Sequence, residues 1–146
     1  MTKLFVIEGQ AKTWEEALQL TSAVLLEEGC VTQDFYDSCA ERERQYPTGL
    51  TELCPVALPH TSKDHVIHQA ICALRLKEPV KFRSMEDIEK EVDVNIVLNL
   101  AFLDGSQHIQ IISRIIRCLK EEDFFKKLID VPIEELKTII YDSFIS

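Results

Sequence analysis

Nine residues, Val94–Phe102 (VNIVLNLAF), constrain the fold of this chain more than any other segment. The run is almost continuously apolar and bounded by polar turns, so it reads as a strand buried within a sheet. The segments around it supply the rest of the frame. Leu4–Ile7 predicts a first strand. Thr13 predicts a helix start, with Glu16 three residues on as a capping box and Gly29 as the stop. Trp14, Ala17, Leu18, Leu20, Ala23, Val24 and Leu25 give that helix its apolar face.

A second helix is predicted from about Thr32 to Arg44, with Phe35, Tyr36 and Cys39 facing inward. Tyr46-Pro47-Thr48-Gly49 is a turn. Pro55–Leu58 and Gln69–Leu76 read as strands, and Pro79–Phe82 as a short edge strand, where proline is tolerated. Ser84 with Asp87 suggests a brief helix. Asp104-Gly105-Ser106 opens a strong helix with an apolar stripe of Ile109, Ile112, Ile115, Ile116 and Leu119. Glu122–Leu128 and Ile133–Phe144 read as two further helices, the latter with Pro132 near its start. Strands and helices interleave without a regular βαβ repeat. That order predicts an α/β fold with helices on both faces of a sheet of mixed strand direction.

The length, 146 residues, suits one domain spanning 1–146 with a sizeable core. Net charge is −9 and no Lys/Arg cluster stands out, which argues against nucleic acid as a partner. An acidic surface instead suits a basic face on another protein. No apolar run is long enough to span a bilayer, and the N-terminus lacks the apolar core of a signal peptide. The five cysteines, Cys30, Cys39, Cys54, Cys72 and Cys118, show no Cys-x-x-Cys spacing. They fit reduced, buried thiols of a cytoplasmic protein. A Gly-rich phosphate loop is absent.

Chemistry concentrates at Val56-Ala57-Leu58-Pro59-His60. Pro59 ends the strand, so His60 stands at a strand end as a candidate nucleophile or proton carrier. Taken alone it reads first as a loop histidine without a role. Arg42 upstream and His108 downstream add weight. His60, Asp64, His65 and His68 are dense in ligand types, but their spacing matches no zinc pattern. No metal or other cofactor is expected.

Four elements together carry a resemblance: Glu41-Arg42-Glu43 at a helix end, Tyr46-Pro47-Thr48-Gly49-Leu50, Val56-Ala57-Leu58-Pro59-His60, and Gln107-His108-Ile109 opening the late helix. The chain resembles a type-2 enzyme IIA domain of the bacterial phosphoenolpyruvate-dependent sugar phosphotransferase system, in the fructose/mannitol superfamily. The Pro-Thr-Gly loop with Ala-Leu-Pro-His-Thr behind it is similar to the galactitol-like branch. The resemblance implies a three-layer α/β/α sandwich around a mixed central sheet. It implies that His60 accepts a phosphoryl group on Nε2 from the phosphocarrier protein HPr. The group would pass to a cysteine of an enzyme IIB component, and then to a sugar imported by the membrane IIC component.

The transfer would be in line, with a neutral imidazole attacking phosphorus and the protein positioning and stabilising charge. Arg42 aligns with the family's active-site arginine, whose planar fork suits phosphoryl oxygens; Arg44, two residues on, is its rival. His108 matches the second active-site histidine, in the first turn of a helix. Thr48 is placed to hydrogen-bond the phosphoryl group or simply to form its turn. Asp64 is placed to orient the imidazole or to be a plain loop acid. Two other functions compete: a regulatory relative in which His60 phosphorylation controls partner binding without transport, and a binding module without catalysis. Donor and acceptor would use the same His60 surface in turn, so an apolar rim and transient, salt-sensitive docking are expected.

Overall fold

The computed structural model describes residues 1–50 and 55–146. Cys54, expected as a buried thiol, lies outside the described residues. Four strands form one sheet: β1 (Lys3–Gly9), β2 (Val56–Ala57), β3 (Ala70–Arg83) and β4 (Glu91–Ala101). Among the described residues, five α-helices surround it: α1 (Trp14–Glu27), α2 (Phe35–Gln45), α3 (Gly105–Leu119), α4 (Glu122–Asp130) and α5 (Ile133–Ile140).

The sheet order is β1-β3-β4-β2. β1 runs parallel to β3, β3 antiparallel to β4, and β2 parallel to β4, so the sheet is mixed. Strand alternation splits its side chains between two helical layers. Ile71, Ala73, Ile96, Leu98 and Leu100 pack with Ile111, Ile115, Leu128, Leu136 and Ile140 of α3–α5. Ala70, Cys72 and Ala101 pack with Leu18, Leu25, Phe35 and Cys39 of α1 and α2. The architecture is the expected three-layer α/β/α sandwich. Polar cross-links bind the layers too: Asn99 Nδ2 donates to Thr21 Oγ1 of α1 at 2.9 Å.

Local rules explain the helix ends. Thr13 accepts from the Glu16 amide at 3.2 Å, and the Glu16 carboxylate accepts from Lys12 N at 2.8 Å. Gly29 takes φ 73° after α1, a conformation that costs other residues strain. Asp104 caps α3 by accepting from Ser106 N at 2.8 Å.

Several expectations need correction. The runs 69–76 and 79–82 are one strand, β3, with a register shift between Arg75 and Val80 that exposes Lys77, Glu78 and Pro79. Ser84 and Asp87 start no helix. Ser84 Oγ accepts from Glu86 N and Asp87 Oδ1 from Glu89 N, and both bonds close the turn between β3 and β4. α2 begins at Phe35, because Thr32 is held by the His65 carbonyl. α5 stops at Ile140 and continues as a wider turn over Tyr141–Ile145. In α3 the buried positions are Ile111, Ile115 and Leu119, while Ile109 is 70% exposed.

Candidate functional site

β2 and β4 are parallel, so both deliver their C-terminal ends to the same edge of the sheet. The chain beyond β2 keeps that course: Leu100 N donates to Pro59 O at 2.9 Å, and His60 bridges Leu100. β4 ends at Ala101 and α3 begins at Gly105, which brings His108 back over the same edge. The two imidazoles meet edge to face, with centroids 4.8 Å apart and planes at 86°. Phe102 backs His108 at 5.3 Å.

His60 Nδ1 lies 2.8 Å from the Leu58 carbonyl oxygen. A carbonyl only accepts, so Nδ1 carries the hydrogen and Nε2 keeps its lone pair. Burial, with smaller contributions from His108 and Arg42, lowers the His60 pKa to about 4, against the opposing effect of the Leu58 bond. The ring is therefore neutral near pH 7, with Nε2 nucleophilic. His108 is also held below its ordinary value, by burial and then Arg42. Its Nε2 is buried without a hydrogen-bond partner.

Two cavities flank His60. One, of about 270 Å³, is lined by Arg42, His60, Ser62, Lys63, Asp104 and His108. The other, of about 350 Å³, is lined by Arg42, Tyr46, Thr48, His60, Met85 and Ile88. Arg42 borders both, its guanidinium over the Tyr46 ring at 5.6 Å, and among the described residues it forms no ion pair. Arg44 turns away, paired with Glu41 at 3.2 Å and lying over Trp14 at 5.6 Å. The structure thus brings Arg42, and not Arg44, to His60.

The other sequence candidates fall elsewhere. Thr48 is 4% exposed, and its hydroxyl donates its one hydrogen to Glu43 Oε1 at 2.8 Å. The hydroxyl hydrogen is thus engaged within the fold in this arrangement. Asp64 is exposed and does not orient His60, whose Nδ1 is taken by Leu58. His65 Nδ1 pairs with Asp34 at 3.1 Å. The described residues contain no group of three metal-ligating side chains.

Some site residues carry no signal that reading the sequence used. Lys63 lines the cavity from a short 3₁₀ turn. Thr61 is tied to Ser38 of α2 at 2.5 Å. Glu43 did have a signal: it follows Phe35 and Cys39 at four-residue steps, so it falls on the buried stripe of α2.

A neutral histidine with a free Nε2, an arginine beside it and a second histidine with an orphaned nitrogen meet at this edge of the sheet. Comparison with known proteins gives the family. Residues 2–142 match the family described as "Phosphoenolpyruvate-dependent sugar phosphotransferase system, EIIA 2", and the chain belongs to that family. Its members are phosphotransferases that work through a phosphohistidine intermediate.

A mannitol-specific phosphotransferase enzyme IIA component from Halalkalibacterium halodurans is 28% identical over 133 residues, covering 89% of this chain and 85% of that protein. The Bacillus subtilis mannitol-specific component is 27% identical over 124 residues, covering 83% and 80%. The crystal structure of IIA mannitol from Escherichia coli superposes with a TM-score of 0.76 at 25% identity, covering 94% of this chain and 95% of that one. No helix among the described residues is long and apolar enough to cross a membrane.

Proposed function

We propose that residues 1–146 act as one enzyme IIA domain in which His60 Nε2 accepts a phosphoryl group from phospho-HPr. The group then passes to a cysteine of an enzyme IIB component during polyol uptake through a membrane IIC component. One observation carries the reading. The Leu58 carbonyl takes Nδ1–H, so the open lone pair of His60 is on Nε2, between the two cavities. In the transfer, Nε2 bonds to phosphorus as the P–N bond of the donor phosphohistidine breaks, and the electron pair returns to the donor imidazole.

The product adds roughly −1.5 to −2 charge at neutral pH. Arg42 meets it with a planar fork, and His108 offers a ring nitrogen, Nε2, that now lacks a partner. Thr48 serves the site from beneath, holding the strand that carries His60. The exposed apolar side chains Tyr46, Met85, Ile88, Leu103 and Ile109 surround this edge and suit transient docking of both partners in turn.

The polyol class rests on relatives named for mannitol, among them a mannitol-specific EIICBA component of Escherichia coli in which the matching region is 18% of the protein, at 27% identity. A galactitol-like assignment has only the loop 46–50 and the segment 56–61 behind it, and the relatives named here are mannitol components. The test is intact mass after incubation with phosphoenolpyruvate, enzyme I and HPr, beside His60→Ala. One acid-labile phosphoryl group in the wild type and none in the variant is the expected result. No gain in a folded protein, with a working positive control, overturns it. Passage of the group to a thiol of a IIB protein separates transport from regulation.

A further inference from the structure

The Glu43 carboxylate is 4% exposed, on the inner face of α2, and both its oxygens are occupied. Oε2 accepts from Thr48 N and Oε1 from Thr48 Oγ1, each at 2.8 Å. The Thr48 hydroxyl oxygen accepts in turn from Leu58 N at 3.2 Å, and the Thr48 carbonyl accepts from the same amide at 3.4 Å. Leu58 then offers its own carbonyl to His60 Nδ1 at 2.8 Å. A continuous path of hydrogen bonds joins a buried acid on a helix to the imidazole.

We propose that Glu43 is a positioning residue for phosphoryl transfer: through Thr48 and Leu58 it holds His60 in the tautomer that leaves Nε2 free. The proposal rests on the reading of His60 as acceptor. Stability alone is a poor reason for a carboxylate at this place, since burying it is costly without strong compensation. Burial pushes its pKa up to about 7, with the two Thr48 bonds and Arg42 holding it down. The ionisable and charged groups around it are Arg42, Arg44 and Cys39 on α2 and Arg83 at the end of β3.

What the acid gains is a fixed residue. The Leu58 amide, in the Ala57–Leu58 peptide, is held by Thr48, and the Leu58 carbonyl, in the next peptide, points at His60 Nδ1 from the same Cα. Without the Thr48 hydroxyl anchor Leu58 is freer to rotate, Nδ1–H loses its acceptor, and the hydrogen redistributes to Nε2, where it blocks attack. The same loop is pinned further along, with Gly49 N on Arg83 O at 3.1 Å and Met85 N on Gly49 O at 2.7 Å. The tautomer control is thus specific to the Glu43–Thr48–Leu58 path, and the loop as a whole has other supports.

The experiment is long-range ¹H–¹⁵N correlation of the histidine rings in the unphosphorylated full chain, with the rate of phosphoryl acceptance from phospho-HPr measured in parallel. Wild type shows His60 with Nδ1 protonated and Nε2 bare. Glu43→Ala and Thr48→Val show a mixture of the two tautomers and accept phosphoryl about tenfold more slowly or worse. Glu43→Gln, which keeps one acceptor oxygen, recovers part of both.

Arg75→Met is the control for mere destabilisation: Arg75 anchors the end of α4 through the Leu128, Ile129 and Val131 carbonyls, away from His60. It lowers Tm and leaves the tautomer alone. An unchanged His60 tautomer in Thr48→Val and Glu43→Ala overturns the proposal, as does an equal change in Arg75→Met. If Glu43→Ala fails to fold, Thr48→Val decides. A tautomer shift in a protein whose wild type accepts no phosphoryl group overturns the acceptor reading and leaves the positioning network standing.

Discussion

His60 Nδ1 donates to the carbonyl of Leu58, two residues back in the segment that follows β2, over 2.8 Å. The side chain is thereby fixed by the backbone that presents it. Ring orientation, tautomer and the open face of Nε2 all follow from the position of one peptide group. The next peptide group, Pro59–His60, lies beside β4 through Leu100 N donating to Pro59 O, so the sheet carries the segment on which His60 stands.

The His60 ring is expected to stay neutral well below the usual range. Its pKa falls from 6.5 to about 4, chiefly through burial. Titration of His60 by ring carbon and nitrogen shifts is expected to show no protonation from pH 8 down to about pH 5, and a midpoint near 4. A midpoint near 6.5 would show a solvated ring and remove the argument for a permanently neutral nucleophile.

Stability should carry two opposing pH terms. His60 has a depressed folded pKa, so its contribution is present above about 6.5 and is lost as pH falls through about 4. Glu43 has a raised folded pKa, so its contribution is present below 4.5 and is lost as pH rises through about 7. Between pH 4.5 and 6.5 the two slopes oppose each other. Urea unfolding across that window is expected to show His60→Gln losing stability with rising pH relative to wild type, and Glu43→Gln gaining it. Each difference is at most about 1.4 kcal/mol per pH unit. Parallel profiles for all three proteins would refute both assignments.

Arg42 and Arg44 are expected to separate cleanly. Arg42→Ala should slow phosphoryl acceptance about 100-fold, and Arg42→Lys about tenfold, since lysine keeps the charge and loses the fork. Arg44→Ala, which removes a surface pair with Glu41, should change the rate by less than about twofold. Stopped-flow transfer from phospho-HPr reads all three, and the reverse order would move the phosphoryl site to the other side of α2.

How much of this was legible in the sequence depended on range. Val94–Ala101 of the apolar run became the C-terminal part of β4, and the caps at Thr13, Gly29 and Asp104 held, because those signals are local. The break read at Lys77–Glu78 was misleading, since a bulge exposes Lys77, Glu78 and Pro79 without ending a strand. Ile109 fits the isoleucine period of α3, but its turn overhangs the sheet edge, so periodicity placed it inside when it lies outside. His60 and His108 meet only because β2 and β4 run parallel, a pairing no spacing reveals. The role of Thr48 depended on Glu43, whose burial was written in the stripe Phe35, Cys39, Glu43 but ran against the usual exposure of glutamate.

Gly49 is expected to resist substitution for steric and not conformational reasons. A Cβ there would stand 2.6 Å from the Arg83 carbonyl oxygen and 3.3 Å from Phe82 Cβ. Neither is the free end of a flexible chain, so backbone must move. Gly49→Ala should cost about 1–3 kcal/mol in urea unfolding. Because Thr48 adjoins it, the same variant should broaden the His60 ring signals. A loss below about 0.5 kcal/mol would mean that the loop yields without strain.

Ile109 offers a test of the docking edge that leaves chemistry untouched. It is 70% exposed, next to His108 in the first turn of α3, and nothing in the fold requires an apolar side chain there. Ile109→Ser should leave Tm and the His60 tautomer unchanged, because it removes no buried contact. It should raise KM for phospho-HPr about threefold to tenfold with kcat little altered, since a docking contact is shared by ground and transition states. Added salt should raise KM further in wild type and variant alike, because steering by the acidic chain acts before apolar contact forms. An unchanged KM in Ile109→Ser would place the partner on the opposite cavity, against Tyr46, Met85 and Ile88, where the corresponding substitution at Ile88 would then show the effect.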